Sequence, residues 1–129
     1  MNIKQGEVWL VKFFPKVGSE ISKIRPAIVV SHNEIGRLPL KTIVPVTDWK
    51  TNYAHYPWMI QIADTNVNGL TKISAIDCFQ VKNFANERFM EKSGVVNSKM
   101  IKQIHSAAGP RSYILAGANP APEGRPATG

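Results

Sequence analysis

The sequence predicts a mainly β protein with a single C-terminal helix, folded as a small, strongly bent β-barrel with that helix packed against it. Three observations carry this expectation. Five short runs, at residues 7–14, 27–30, 42–46, 58–62 and 73–82, have the alternating or continuously apolar character of strands and are separated by segments rich in turn-forming residues. One helical stripe, Met100, Ile101 and Ile104, stands late in the chain. A length of 129 residues leaves room for one core and not for two.

Residues 7–14 place Val8, Leu10 and Phe14 on one side of a strand and Trp9, Val11 and Phe13 on the other, so this strand is expected to be central. Residues 15–24 (PKVGSEISKI) combine Pro, Gly, Ser and two lysines and read as a mobile surface loop. The loop leads into KIRPAIVVS at 23–31, where 27–30 is a strand buried on both faces. Pro26 then occupies a first strand position, which need not donate to a ladder. After a polar connection at 32–41, residues 42–46 (TIVPV) form another strand that ends at Thr47 and Asp48, with Pro45 pointing to an edge or a bulge. The aromatic-rich stretch 48–57 (DWKTNYAHYP) is loop-like, and Trp58, Ile60 and Ile62 share one face of the strand that follows. Beyond a turn at 66–69, residues 73–82 (ISAIDCFQVK) read as one strand with Ala75, Asp77, Phe79 and Val81 pointing the same way. That sets the Asp77 carboxylate on an apolar face. Residues 86–90 suit one helical turn, and Asn97 or Ser98 can cap a helix that runs to about residue 108 and stops at Gly109-Pro110. From residue 116 onward Gly, Ala, Pro and Thr dominate without periodicity, so the domain is expected to occupy 1–115, with a disordered tail at 116–129.

The formal net charge is +7, and the tail adds only Glu123 and Arg125, which cancel. The folded part therefore carries the excess, a field that attracts nucleic acid or an acidic protein partner. No apolar run is long enough to span a bilayer, and the N-terminus passes into a strand without an apolar signal region, so a cytoplasmic, membrane-free protein is expected. Cys78 is the single cysteine, which excludes an internal disulfide and any cysteine pair for zinc. Nine acids are scattered along the chain without an adjacent pair, which sets aside a metal-dependent nuclease; no metal and no cofactor are expected.

Chemistry concentrates at Arg25. A guanidinium keeps its charge and presents five donors in a fixed fork, so one held at a rigid strand entrance makes an anion site, with phosphate as the natural ligand. The plainer reading is a structural arginine paired with Glu20. Thr47 offers a hydroxyl at a strand end, able to donate either to a phosphate oxygen or to its own loop. Glu20 and Asp77 are the carboxylates within reach of a proton-transfer role. Among the histidines, His105 falls on the helix and His32 is remote from the arginine. His55 sits among Tyr53, Tyr56 and Trp58, a cluster suited either to stacking on bases or to closing one end of the barrel.

In this order and spacing, Gly6-Glu-Val-Trp-Leu-Val, Gly18-Ser-Glu20, Arg25-Pro-Ala-Ile-Val-Val-Ser31, Thr42-Ile-Val-Pro-Val-Thr47 and Gln80-Val-Lys82 resemble the MazF/PemK toxins of bacterial toxin–antitoxin pairs over roughly residues 5 to 108. The resemblance implies an SH3-like barrel that pairs as a homodimer and cuts single-stranded RNA at short sequences without a metal, and that an acidic antitoxin blocks with an extended segment. It implies that Arg25 and Thr47 are the catalytic pair and that Ser19, Glu20 and Gln80 line the RNA groove, with Lys16 and Asp77 as further RNA-binding candidates. One plasmid-borne branch of the family places an Arg and an Asp two residues apart just before the glutamine. Here Asp77 and Phe79 stand there, so that branch's acid and base do not carry over. Two readings from other classes stay open on the residues. One is a non-catalytic SH3-like barrel that binds RNA or an acidic peptide. The other is a protein-directed toxin on the related gyrase-poison barrel, against which the weakly patterned tail argues.

Overall fold

A computed structural model describes residues 2–13, 23–33 and 40–109. Seven strands and one helix make up these segments: β1 (Glu7–Phe13), β2 (Lys23–Val29), β3 (Leu40–Asp48), β4 (Met59–Ile62), β5 (Ser74–Asp77), β6 (Lys82–Ala85), β7 (Phe89–Val95) and α1 (Ser98–Ala108). The strands form one strongly bent antiparallel sheet in the order β4-β5-β3-β2-β1-β7, with β6 also paired to β3. The barrel-like, mainly β architecture with a late helix follows the expectation, and β1 lies between β2 and β7 inside the sheet. No helix among the described residues is long and apolar enough to cross a membrane.

Two apolar clusters sit on the two faces of the sheet, and the alternation along β1 and β2 assigns side chains to them. Val8, Ile28 and Val30 join Val44, Val46 and Ile76 on the face that the helix covers, while Trp9, Val11, Ala27 and Val29 join Ile43 and Phe89 on the other. Helix α1 begins where the Asn97 side chain accepts from the Met100 N–H at 2.9 Å. It seats Ile101 and Ile104 in the first cluster, with Met100 packed beside them. Each isoleucine contributes about 1.5–3 kcal/mol of burial, which holds so short a helix in place. Gly109 ends it at φ 66°, a left-handed conformation that favours glycine.

Several expectations need correcting. Strand β2 begins at Lys23, so Arg25 and Pro26 lie inside it, paired with Val11 and Leu10 of β1, rather than at its mouth. Strand β3 is no edge strand, since it has partners on both sides, but at Pro45 itself only the β2 side is paired. The stretch 73–82 is two strands: β5 ends at Asp77, the chain turns over 77–80, and β6 starts at Lys82. Phe79 therefore leaves the face shared by Ala75 and Asp77 and stands 57% exposed in the turn. The predicted helical turn is a short 3-10 helix at Asn86–Arg88, and the loop-like 48–57 stretch contains another at Thr51–His55. Strand β7 went unpredicted. The turn at 66–69 docks on it so closely that a Cβ at Gly94 would lie 2.2 Å from the Val67 carbonyl oxygen. The expected tail at 116–129 lies outside the described residues.

Candidate functional site

The two prolines that punctuate β2 and β3 open the site. Along β2 even-numbered residues direct their amides toward β3, since the Val30 N–H donates to the Thr42 carbonyl at 2.9 Å, while Gly6 N–H reaches the odd-numbered Val29 carbonyl from the β1 side at 2.8 Å. The ladder runs through Val29↔Ile43, Ile28↔Val44 and Ala27↔Pro45; its next bond would come from residue 26, and Pro26 has no N–H. On its far side β3 changes partner, from β6 at Ile43↔Lys82 to β5 at Val46↔Ile76. Pro45 fills the step between them, opposite the 77–80 turn, where no strand needs a donor.

The ladder ends at this pair, and the same register carried two residues further sets Arg25 opposite Thr47. Both project on the face of the Ala27 and Val29 cluster, and both are half-buried. Among the described residues no carboxylate pairs with Arg25. The ion pairs found there are Lys72 with Asp48 at 3.0 Å and Lys92 with Glu7 at 3.1 Å. Among the described residues Arg25 thus has no carboxylate partner and falls in register opposite Thr47, and a guanidinium and a hydroxyl on one face supply donors of the kind a phosphate accepts from.

Thr47 is paired with Ala75, and Asp77 follows two residues later on the same face of β5. Asp77 is 8% exposed, and both carboxylate oxygens are engaged within its own turn. Oδ1 accepts from the Phe79 N–H at 3.1 Å and Oδ2 from the Gln80 side-chain amide at 2.8 Å. Because a carboxylate only accepts, this bond fixes which end of the Gln80 amide faces inward and leaves its oxygen outward. Asp77 thus acts as the brace of the turn. Lys82, which sequence reasoning did not assign, pairs with Ile43 and so adds a cation to the face of Arg25 and Thr47. Its place in Gln80-Val-Lys82, one alternation beyond the glutamine, was the available signal. Lys16, Ser19 and Glu20 lie outside the described residues.

Aromatic rings gather at the end of the β4–β5 ribbon. Tyr56 and Trp58 stack at 5.0 Å between centroids with 12° between planes, and Phe79 joins Trp58 at 5.6 Å. His55 is exposed on the short 3-10 helix and His32 is exposed after β2. His105 belongs to the helix core: burial lowers its pKa, a bond to the Val30 backbone acts the other way, and its Nε2 is buried without a partner among the described residues. Glu7 anchors β1. Burial alone would raise its pKa, but bonds from the Lys4 N–H, the Trp9 indole and Lys92 outweigh this and hold it below the ordinary value. Among the described residues no three His, Cys, Asp or Glu side chains come together.

Known proteins match most of the chain. The family described as PemK-like, MazF-like toxin of type II toxin–antitoxin system matches residues 4–109. Endoribonuclease MazF9 of Mycobacterium tuberculosis is 30% identical over 112 residues, covering 81% of this chain and 92% of its own. Endoribonuclease EndoA of Bacillus subtilis is 25% identical over 107 residues, covering 83% and 91%. Among solved structures, a MazE–MazF crystal structure from Deinococcus radiodurans superposes with a TM-score of 0.68 at 19% identity, covering 84% of this chain and 94% of that one. The Mycobacterium tuberculosis toxin MazF-mt6 gives 0.64 at 15% identity, covering 83% and 95%. The fold agrees in both, and with the family match over residues 4–109 the chain belongs to the PemK-like, MazF-like toxins of type II toxin–antitoxin systems.

Proposed function

We propose that this toxin is an endoribonuclease that cuts single-stranded RNA at short sequences without a metal, with Arg25 and Thr47 as its catalytic residues. The relatives named endoribonuclease support RNA cleavage, and the observation that carries the assignment of residues is the guanidinium of Arg25, without a carboxylate partner among the described residues, in register opposite Thr47. In such a reaction the 2′-hydroxyl attacks the neighbouring phosphorus, the bond to the 5′-oxygen breaks, and charge builds on the non-bridging oxygens between the two events. The Arg25 fork can hold both of those oxygens, and Thr47 can add a second hydrogen bond to one of them. The attacking hydroxyl loses its proton to a base and the departing oxygen gains one. Asp77, with both oxygens engaged, is poorly placed for the first task, which leaves Glu20 as the carboxylate to test.

The solved MazF structures include complexes with MazE and, in a mycobacterial endoribonuclease, with its cognate antitoxin. By the same logic this chain is held by an acidic antitoxin whose extended segment competes with RNA for the positive field, and it acts in the cytoplasm as a homodimer. Ser19, Glu20, Lys16 and Gln80 are the residues proposed to line the RNA path. The test is incubation of purified protein with a mixed-sequence RNA pool in EDTA. Fragments ending in a 2′,3′-cyclic phosphate or 3′-phosphate and beginning with a 5′-hydroxyl are expected, and sequencing their ends gives the cut site. RNA left intact at high protein concentration would overturn the assignment in favour of a binding module.

A further inference from the structure

We infer that Tyr56, Trp58 and Phe79, at the end of the β4–β5 ribbon, form a stacking platform for one unpaired base of the RNA; this rests on the reading of the chain as an RNA-cleaving enzyme. The three rings are contiguous, with Trp58 in the middle. Trp58 is half-buried against the helix-side cluster, while Tyr56 is 38% and Phe79 57% exposed as residues.

The platform is also fixed in place relative to the gap. The Cys78 N–H donates to the Trp58 carbonyl at 2.9 Å, and Met59 is paired with Asp77, which ties β4 to the start of the turn. The Asp77 carboxylate then binds the Phe79 N–H and the Gln80 amide, so the turn that carries Phe79 is braced. Asp77 lies two residues from Ala75, the partner of Thr47, a step of about 7 Å along a strand. The rings lie beyond that step, at the end of the β4–β5 ribbon, and Trp58 packs on the face opposite Thr47, so an RNA strand held at Thr47 reaches them around the end of the ribbon. The net charge of +7 and the cations Arg25 and Lys82 on the adjoining face favour a polyanion as the occupant over an apolar protein surface. Stacking on such rings tolerates any base, so the platform sets the position of the strand and the Gln80 amide next in the chain is left to read an edge.

The test uses an RNA oligomer that the wild-type protein cuts, made with a 2′-deoxy sugar at the cut position so that it binds without reacting. Each base in turn is replaced by an abasic site, and binding is measured by competition and by tryptophan fluorescence. One abasic position next to the cut should weaken wild-type binding about five- to a hundredfold. Phe79→Ala and Trp58→Leu should weaken the intact oligomer by a similar factor, and the same abasic change should then cost nothing more. Phe79→Leu, which retains volume without a π-face, should behave as Phe79→Ala does, with thermal melts showing that the fold holds. An abasic penalty that persists in full in these variants, or no sensitive position in an oligomer the enzyme cuts, overturns the platform and leaves the nuclease intact. So does a Phe79→Ala protein that changes its sedimentation while the abasic penalty stays, since the rings would then cover a protein interface. A wild-type protein that cuts no RNA sinks the nuclease reading and the platform with it.

Discussion

Replacing Glu7 by alanine should be among the most damaging single changes outside the site. Its carboxylate is 10% exposed and gathers three donors: the Lys4 N–H at 2.9 Å, the Trp9 indole N–H at 2.9 Å and Lys92 at 3.1 Å. Trp9 is 7% exposed, so its indole N–H, left without a partner, costs about 1–3 kcal/mol. The bond to the Lys4 amide, assisted by the charge, contributes about 1.5–3 kcal/mol. Lys92 is 47% exposed and returns to water, so that pair contributes about 0–1 kcal/mol. These are coupled, and a loss of about 3 kcal/mol is a fair sum, equal to a fall in Tm of roughly 12–24 °C for a domain of this size. Glu7→Gln keeps an acceptor for the indole and should lose about 1 kcal/mol. Because the folded carboxyl is held below the ordinary value of 4.5, the stabilisation is fully present above that pH and is lost as the pH falls through the folded value. Thermal melts of wild type and Glu7→Ala followed by circular dichroism at neutral and strongly acid pH test this. A neutral-pH difference below about 4 °C, or one that does not shrink in acid, would show that the Glu7 cluster does not anchor β1 as argued.

Arg25→Ala and Thr47→Val should each lower single-turnover RNA cleavage about a hundredfold or more while their melts stay close to wild type. Arg25→Lys should recover little, because a point charge lacks the fork; losses in step with lowered Tm would make both residues structural. His105, with its pKa lowered chiefly by burial, gives the second pH effect: the unfolded chain takes up a proton below the ordinary value of 6.5 before the folded one does, so stability should fall as pH drops through that range. A His105→Leu variant should show a flatter dependence there, and an unchanged slope would assign the titration to another group.

Where a local pattern carries the information, the sequence was readable. Strand β1 alternates over its length, and α1 has Asn97 to start it, an apolar stripe to seat it and Gly109 to end it. Strand β7 was missed because its central residues are polar and exposed, Phe89 alone among its seven is buried, and bulges against β1 break the alternation. The break at Asp77 was hidden by the apolar Cys78 and Phe79, although an aspartate that can bond the amide two residues on is a turn signal. Arg25 and Thr47 could be named from chemistry and resemblance. Their meeting across the gap depends on the β2–β3 register, a property of pairing at a distance that neither segment contains alone.

The two prolines give this gap a thermodynamic consequence. A cleft between two ordinary strands would close by extending its ladder, and a ligand would have to reopen it against those bonds. With no N–H at Pro26 the β2–β3 ladder lacks a donor where it ends, and with Pro45 set against a turn β3 changes its other partner from β6 to β5 there. Closing the sheet over this stretch would gain at least one bond fewer than an ordinary pair of strands offers. A phosphate bound at the proposed Arg25 and Thr47 site would therefore lose less of its binding free energy to separating the strands than an unbroken ladder would demand.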